Sequence, residues 1–276
     1  MSFSVAGKTA IVTGAANGVG LAIARHLADA GSNVMFADKD ETRLRDEVGD
    51  ATDETSNIRY FAGDLREKLT IANLLSATLD AFDQVHILVN AARQVTTSSP
   101  LDPDDESMSI MLEQNLLSSL KLSQLVARRM IKQGKGSEKP CIGTIVNLSS
   151  IAAQRTQAEL MAFSVSCAAM DQMTRSLAVS LAPERVRVNA VAFGSVMSAS
   201  LKDHLKEMEI IDSLINSPGR NTISNIINFF HKYFPQKVTK IQNILGISEL
   251  SQKTLEDYLS NQRKTGTMNT FVDSCN

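Results

Sequence analysis

The sequence predicts an α/β fold built as one domain, with a parallel sheet doubly wound by helices on both faces. Three observations carry this. Short aliphatic runs alternate with longer segments of helical periodicity from Lys8 to Val191. Such alternation requires crossover connections, hence parallel strands covered on both sides. The chain has 276 residues with 43% apolar and 21% charged, enough to bury a sizeable core. The first strand also runs directly into a glycine-rich turn and a helix.

The elements follow in order. Lys8–Thr13 (KTAIVT) is a β-rich run that ends in glycines. Gly18–Ala30 carries Val19, Leu21, Ala22, Ile23, Ala24 and Leu27 at helical spacing. Asn33–Ala37 is a second buried strand, and Glu41–Val48 an exposed helix. Ile58–Ala62 and His86–Val89 are strands separated by a helix over Lys68–Phe82. Ser107–Ile131 reads as one long helix, Gly143–Asn147 as the fifth strand, Leu160–Leu181 as a long helix and Val186–Val191 as the sixth strand. After Ala199 the chain has no further alanine and turns rich in Ile, Asn, Lys and Ser. The 200–262 segment therefore reads as an enlarged C-terminal helical cap on the one domain, 1–276.

Composition excludes several classes. A net charge of −2 offers no basic surplus for nucleic acid or an anionic membrane. No apolar run approaches the ~18 residues of a membrane span. The opening MSFSVAGKTAIVTG lacks a basic stretch leading into an apolar signal core. Cys141, Cys167 and Cys275 are odd in number and lack CxxC spacing, so neither a disulfide framework nor a metal site is expected. A reducing, cytoplasmic setting fits this usage.

The turn Thr13-Gly14-Ala15-Ala16-Asn17-Gly18-Val19-Gly20 joins the first strand to the first helix. Glycine allows positive φ and close approach of a ligand to backbone. The helix start behind it offers N–H groups and a positive dipole end, suited to a pyrophosphate. Asp38 closes the second strand, where a carboxylate can bond both ribose hydroxyls and repel a 2′-phosphate. The pattern predicts a Rossmann-type dinucleotide site with NAD as the cofactor.

At these residues the chain resembles the short-chain dehydrogenase/reductase family. The resemblance covers the glycine turn at 13–20, Gly63-Asp64-Leu65, Leu88-Val89-Asn90-Ala91-Ala92-Arg93 in place of LVNNAG, Asn115, and Ile145-Val146-Asn147-Leu148-Ser149-Ser150. It continues through Arg187-Val188-Asn189-Ala190-Val191-Ala192-Phe193-Gly194, where Phe193 replaces a proline. Within the family the chain is most similar to the 3-oxoacyl-carrier-protein reductase type. The resemblance implies a small carbonyl or oxoacyl ligand. It assigns the dinucleotide to Gly14, Asn17, Gly18, Val19, Gly20, Asp38, Asp64, Leu65, Asn90 and Val196. It also implies that Ser150 orients the carbonyl and that Asn115 supports a water relay.

The family's proton donor is a tyrosine, followed four residues later by a lysine that lowers the phenol pKa. Counting forward from Ser150 and back from Ala168–Ala178 places Phe163 at the tyrosine and Cys167 at the lysine. Phenylalanine has no exchangeable proton, and a thiol is neutral near pH 7. Carbonyl reduction is expected to be absent or very slow. Active turnover through another donor is the alternative. Tyr233-Phe234-Pro235-Gln236-Lys237 repeats the YxxxK string, but Pro235 opposes a shared helical face. Arg93 stands where the family has glycine, with its side chain either out to solvent or on a phosphate. Losing the lysine and gaining Arg93 predict weakened NAD binding. The resemblance further implies a homodimer or homotetramer through the 107–131 and 160–181 helices; a chain without its proton relay is expected to act as a regulatory or structural partner, including beside an active paralogue in a mixed oligomer.

Overall fold

The protein is described from a computed structural model, over residues 4–49, 56–155 and 158–194. All of these belong to the first of two units, Met1–Ser198; the second is Ala199–Asn276. The expectations for Val196, the 200–262 cap and Tyr233 lie outside the described residues.

Six strands form one parallel sheet: β1 (Thr9–Thr13), β2 (Asn33–Asp38), β3 (Ile58–Ala62), β4 (Ile87–Asn90), β5 (Gly143–Ser150) and β6 (Val186–Phe193). Their spatial order is β3-β2-β1-β4-β5-β6. β1 is buried along all five residues, as expected of a strand covered on both faces. Alternation then sorts side chains. Ile11 pairs in register with Met35 and Leu88, and Leu88 with Ile145. These four line one face, with Leu74, Leu122 and Val126 packed on them. Ala10, Val12, Val34 and Phe36 line the other face with Ala24, Ala28 and Leu44.

Helices α1 (Gly18–Asp29) and α2 (Glu41–Val48) cover that second face. The inward residues of α1 are Gly20, Ala24 and Ala28, a small-residue stripe that lets the helix lie close to the sheet. Asp40 caps α2 by accepting the Arg43 N–H at 3.1 Å. On the first face lie α3 (Lys68–Phe82), α5 (Ser118–Gln133) and α6 (Met161–Leu181), and α4 (Ser107–Met111) packs on α6.

The expected single helix over 107–131 is instead two helices joined by a π-helical turn, Leu112–Leu117. The cause lies outside the helix. Asn115 in that turn accepts the Gln94 N–H at 2.8 Å and donates to the Gln94 carbonyl at 2.9 Å. Widening the ladder by one residue aims this amide at the loop after β4, a placement typical of π-bulges at functional positions.

Candidate active site

Strand order reverses between β1 and β4, and open parallel sheets hold ligands beyond the C-terminal ends of the strands at such a point. Thr13 clamps the opening. Its hydroxyl accepts the Ala91 and Ala92 N–H groups at 3.0 Å each and donates to the Val89 carbonyl. Gly14 has φ +67°, and a Cβ there would stand 2.8 Å from the Ala92 backbone. A Cβ on Gly20 would overlap the Gly14 carbonyl. Neither position admits a side chain. The first α1 bond runs from Leu21 N–H to the Asn17 carbonyl at 3.2 Å. The N–H groups of Gly18, Val19 and Gly20 therefore precede the helical ladder. No acidic residue lies in the first turn to repel an anion.

Asp38 ends β2 beside this turn. One carboxylate oxygen accepts the Ala16 N–H at 3.0 Å and the other the Asp40 N–H at 3.1 Å. Each oxygen keeps a further lone pair, so the group is positioned and still able to accept. Asp64 is paired with Arg66, whose hydrogen bonds hold its carboxyl below the usual range despite opposing desolvation. Leu65 places its side chain in the core. The Asn90 amide is turned into the fold, donating to Ser123 Oγ at 2.9 Å and Asn147 Oδ1 at 2.7 Å. Asn147 donates onward to Thr174 at 2.8 Å, tying β4 and β5 to α6.

A second group of residues gathers at the ends of β4, β5 and β6. Asn115 reaches Ser166 Oγ at 3.2 Å as well as Gln94. Ser150 closes β5 and accepts the Ala152 N–H at 3.2 Å, which fixes its hydroxyl at the strand end. Phe163 and Cys167, 5% and 6% exposed, pack with Met111 and Ala162 in a small apolar cluster. Burial pushes the Cys167 thiol up to about 11, against the nearby Arg93 charge and a Ser166 hydrogen bond, which lower it. The thiol is therefore protonated at neutral pH. The Arg93 guanidinium carbon lies 4.2 Å from the Phe193 ring centre and 5.8 Å from that of Phe163. Arg93 is solvent-exposed as a residue; partial desolvation of its guanidinium beside the rings lowers its pKa, but the group stays charged.

Thus the structure brings Gly14, Gly18, Gly20 and Asp38 to one end of the crevice, and Asn115, Ser150, Phe163 and Cys167 to the other. Sequence reasoning missed Gln94, Ser123 and Ser166 and the clamping role of Thr13, all of which rest on hydrogen bonds to distant residues. It also missed the stacking of Arg93 on Phe193. Both residues depart from the motif they occupy, and that coincidence was the available signal.

A family model described as short chain dehydrogenase matches residues 8–209. The chain is 28% identical over 223 residues to Short chain dehydrogenase/reductase astE of Aspergillus oryzae, covering 80% of this chain and 82% of that protein. It is 30% identical over 199 residues to L-xylulose reductase of Mesocricetus auratus, covering 72% and 76%. Among solved structures, the crystal structure of NAD+-bound xylitol dehydrogenase matches with a TM-score of 0.66 at 24% identity, over 75% of this chain and 78% of that one. The crystal structure of gox2181 matches with a TM-score of 0.66 at 26% identity, over 82% and 88%.

Proposed function

Because this chain belongs to the short-chain dehydrogenase family, we propose that it is an NAD-binding member whose proton relay for carbonyl reduction is missing. The reading rests on the pair Phe163 and Cys167, which the motif spacing puts where the family has tyrosine and lysine, and on their burial together in one apolar cluster. Bound nicotinamide supplies a hydride to a carbonyl carbon. What this chain adds is binding and orientation. Gly14 and Gly20 let the turn pack tightly on the Ala92 backbone and on itself, and the N–H groups at the α1 N-terminus behind it would receive a diphosphate. Asp38 accepts from ribose hydroxyls and disfavours a 2′-phosphate. Ser150 offers a fixed hydroxyl to the carbonyl oxygen. Phe163 fills the donor's space with a ring that has no proton to give. Cys167 is held protonated, so it provides no fixed charge to lower any donor's pKa. General acid–base assistance contributes roughly 10²–10⁴ in rate, and that share is absent here.

NAD binding is weakened on the nicotinamide side, where a lysine's hydrogen bonds are missing. The protein acts as a cytoplasmic homodimer or homotetramer, or beside an active paralogue. Ile110 of α4 and Val165 and Val179 of α6 are exposed apolar side chains on the helices proposed to pair.

Calorimetric titration with NADH and NADPH tests the binding, with NADH expected to be preferred. NADH oxidation with small ketone and oxoacyl substrates tests the chemistry. Turnover by the wild-type chain would overturn the missing relay and favour a reductase with another donor. Light scattering on a sizing column gives the oligomeric state.

A further inference from the structure

Arg93 is the feature of this pocket that the proposed function leaves unused. Its guanidinium lies on the Phe193 ring at 4.2 Å and faces Phe163 at 5.8 Å. Stacking occupies the flat face of the group and leaves its five N–H donors in the plane. Arg25, Arg45 and Arg66 each carry a carboxylate partner. Arg93 has neither an ion pair nor a hydrogen bond among the described residues. The neighbouring residue is held firmly, since Asn115 binds both the N–H and the carbonyl of Gln94 and also reaches Ser166. A cation is thus fixed at the ends of β4 and β6 with its donors unused. Desolvation lowers its pKa, and among the described residues the one titratable group acting on it is the Cys167 thiol. Ser150 stands opposite Phe193 in the β5–β6 register and brings a hydroxyl to the same end of the sheet.

We propose that Arg93, stacked on Phe193 and anchored through Gln94, is an oxyanion receptor that takes a carboxylate or phosphate in the plane of its guanidinium. Two sources fit: the carboxylate of a small 2-oxo acid, whose oxo group the Ser150 hydroxyl would meet, or a phosphate of the dinucleotide. The assignment to a substrate's carboxylate rests on the function proposed above; the receptor itself does not.

The test is calorimetric titration of the full chain with pyruvate, inorganic phosphate and NADH, for wild type, Arg93→Ala and Arg93→Lys. Cooperative thermal unfolding of each variant checks the fold. Pyruvate binding that falls at least about tenfold in Arg93→Ala, and partly in Arg93→Lys because an ammonium lacks the two-pronged fork, supports the small-acid source. NADH or phosphate binding that falls likewise, without pyruvate binding, supports the phosphate source. Binding in Arg93→Ala equal to or tighter than wild type for every probe overturns the receptor, as does the absence of any binding by wild type. Arg93-dependent pyruvate binding without NADH binding keeps the receptor and removes the dinucleotide reading. NADH binding indifferent to Arg93, with no binding of pyruvate or phosphate, does the reverse.

Discussion

Restoring the family's lysine should fail while Arg93 is present. Cys167 is buried on the α6 face toward which the Arg93 charge acts. A lysine there brings a second cation into the pocket. The guanidinium already stands 5.8 Å from the Phe163 ring on the same helix. Two like charges on the order of 6 Å apart, at an effective dielectric of about 20, repel by about 3 kcal/mol. Water around Arg93 screens this toward about 1 kcal/mol. Cys167→Lys should therefore destabilise the chain, and adding Arg93→Ala should recover about 1–3 kcal/mol of that loss. The assay is a double-mutant cycle by urea unfolding. Urea is required because guanidinium salt would screen the interaction being measured. Effects of the two substitutions that add within about 0.5 kcal/mol would refute the coupling, and with it the view that Arg93 is an uncompensated cation in this pocket.

Gly20→Ala should abolish NADH binding, with a loss of at least about tenfold by calorimetry, because its Cβ would overlap the Gly14 carbonyl and force the turn apart. His86 accepts the Thr9 N–H on Nδ1 at 3.1 Å, and burial, with Lys8 and Lys139, lowers its pKa from 6.5. As pH falls below 6.5 the unfolded chain takes up a proton that the folded imidazole resists, so stability should fall. His86→Asn keeps an acceptor but cannot titrate; its urea midpoint should change less between pH 7 and pH 5 than that of wild type. At pH 8 a thiol with a pKa of about 11 is about one part in a thousand thiolate. Iodoacetamide should therefore spare Cys167 in the folded chain. Cys141 is half-buried, and its desolvation is outweighed by hydrogen bonding, chiefly with Arg187 and Thr144, and by the Arg187 charge, which lower its pKa. It should be the one of the two that reacts, as read by peptide mass mapping.

The alternation of strands and helices was legible because it is written locally. β1 is apolar throughout, α1 repeats small residues at helical spacing, and glycines stand where the chain must turn tightly. The glycine turn and the placement of Asp38 beside it were legible for the same reason, since Gly14, Gly20 and Asp38 lie within one strand–turn–helix–strand unit. The motif spacing also singled out Phe163 and Cys167 within α6. The other end of the site was decided by tertiary structure. Asn115 sits in a π-turn because its amide meets Gln94, a contact that helical periodicity cannot express. Arg93 was visible only as a residue out of place, with two open destinations for its side chain. Its destination was set when the sheet order β4-β5-β6 brought the end of β6, and with it the Phe193 ring, close to the loop after β4. Local backbone preference and hydrophobic period act over a few residues, whereas the charge and stacking in this pocket exist only between segments that the completed sheet brings together.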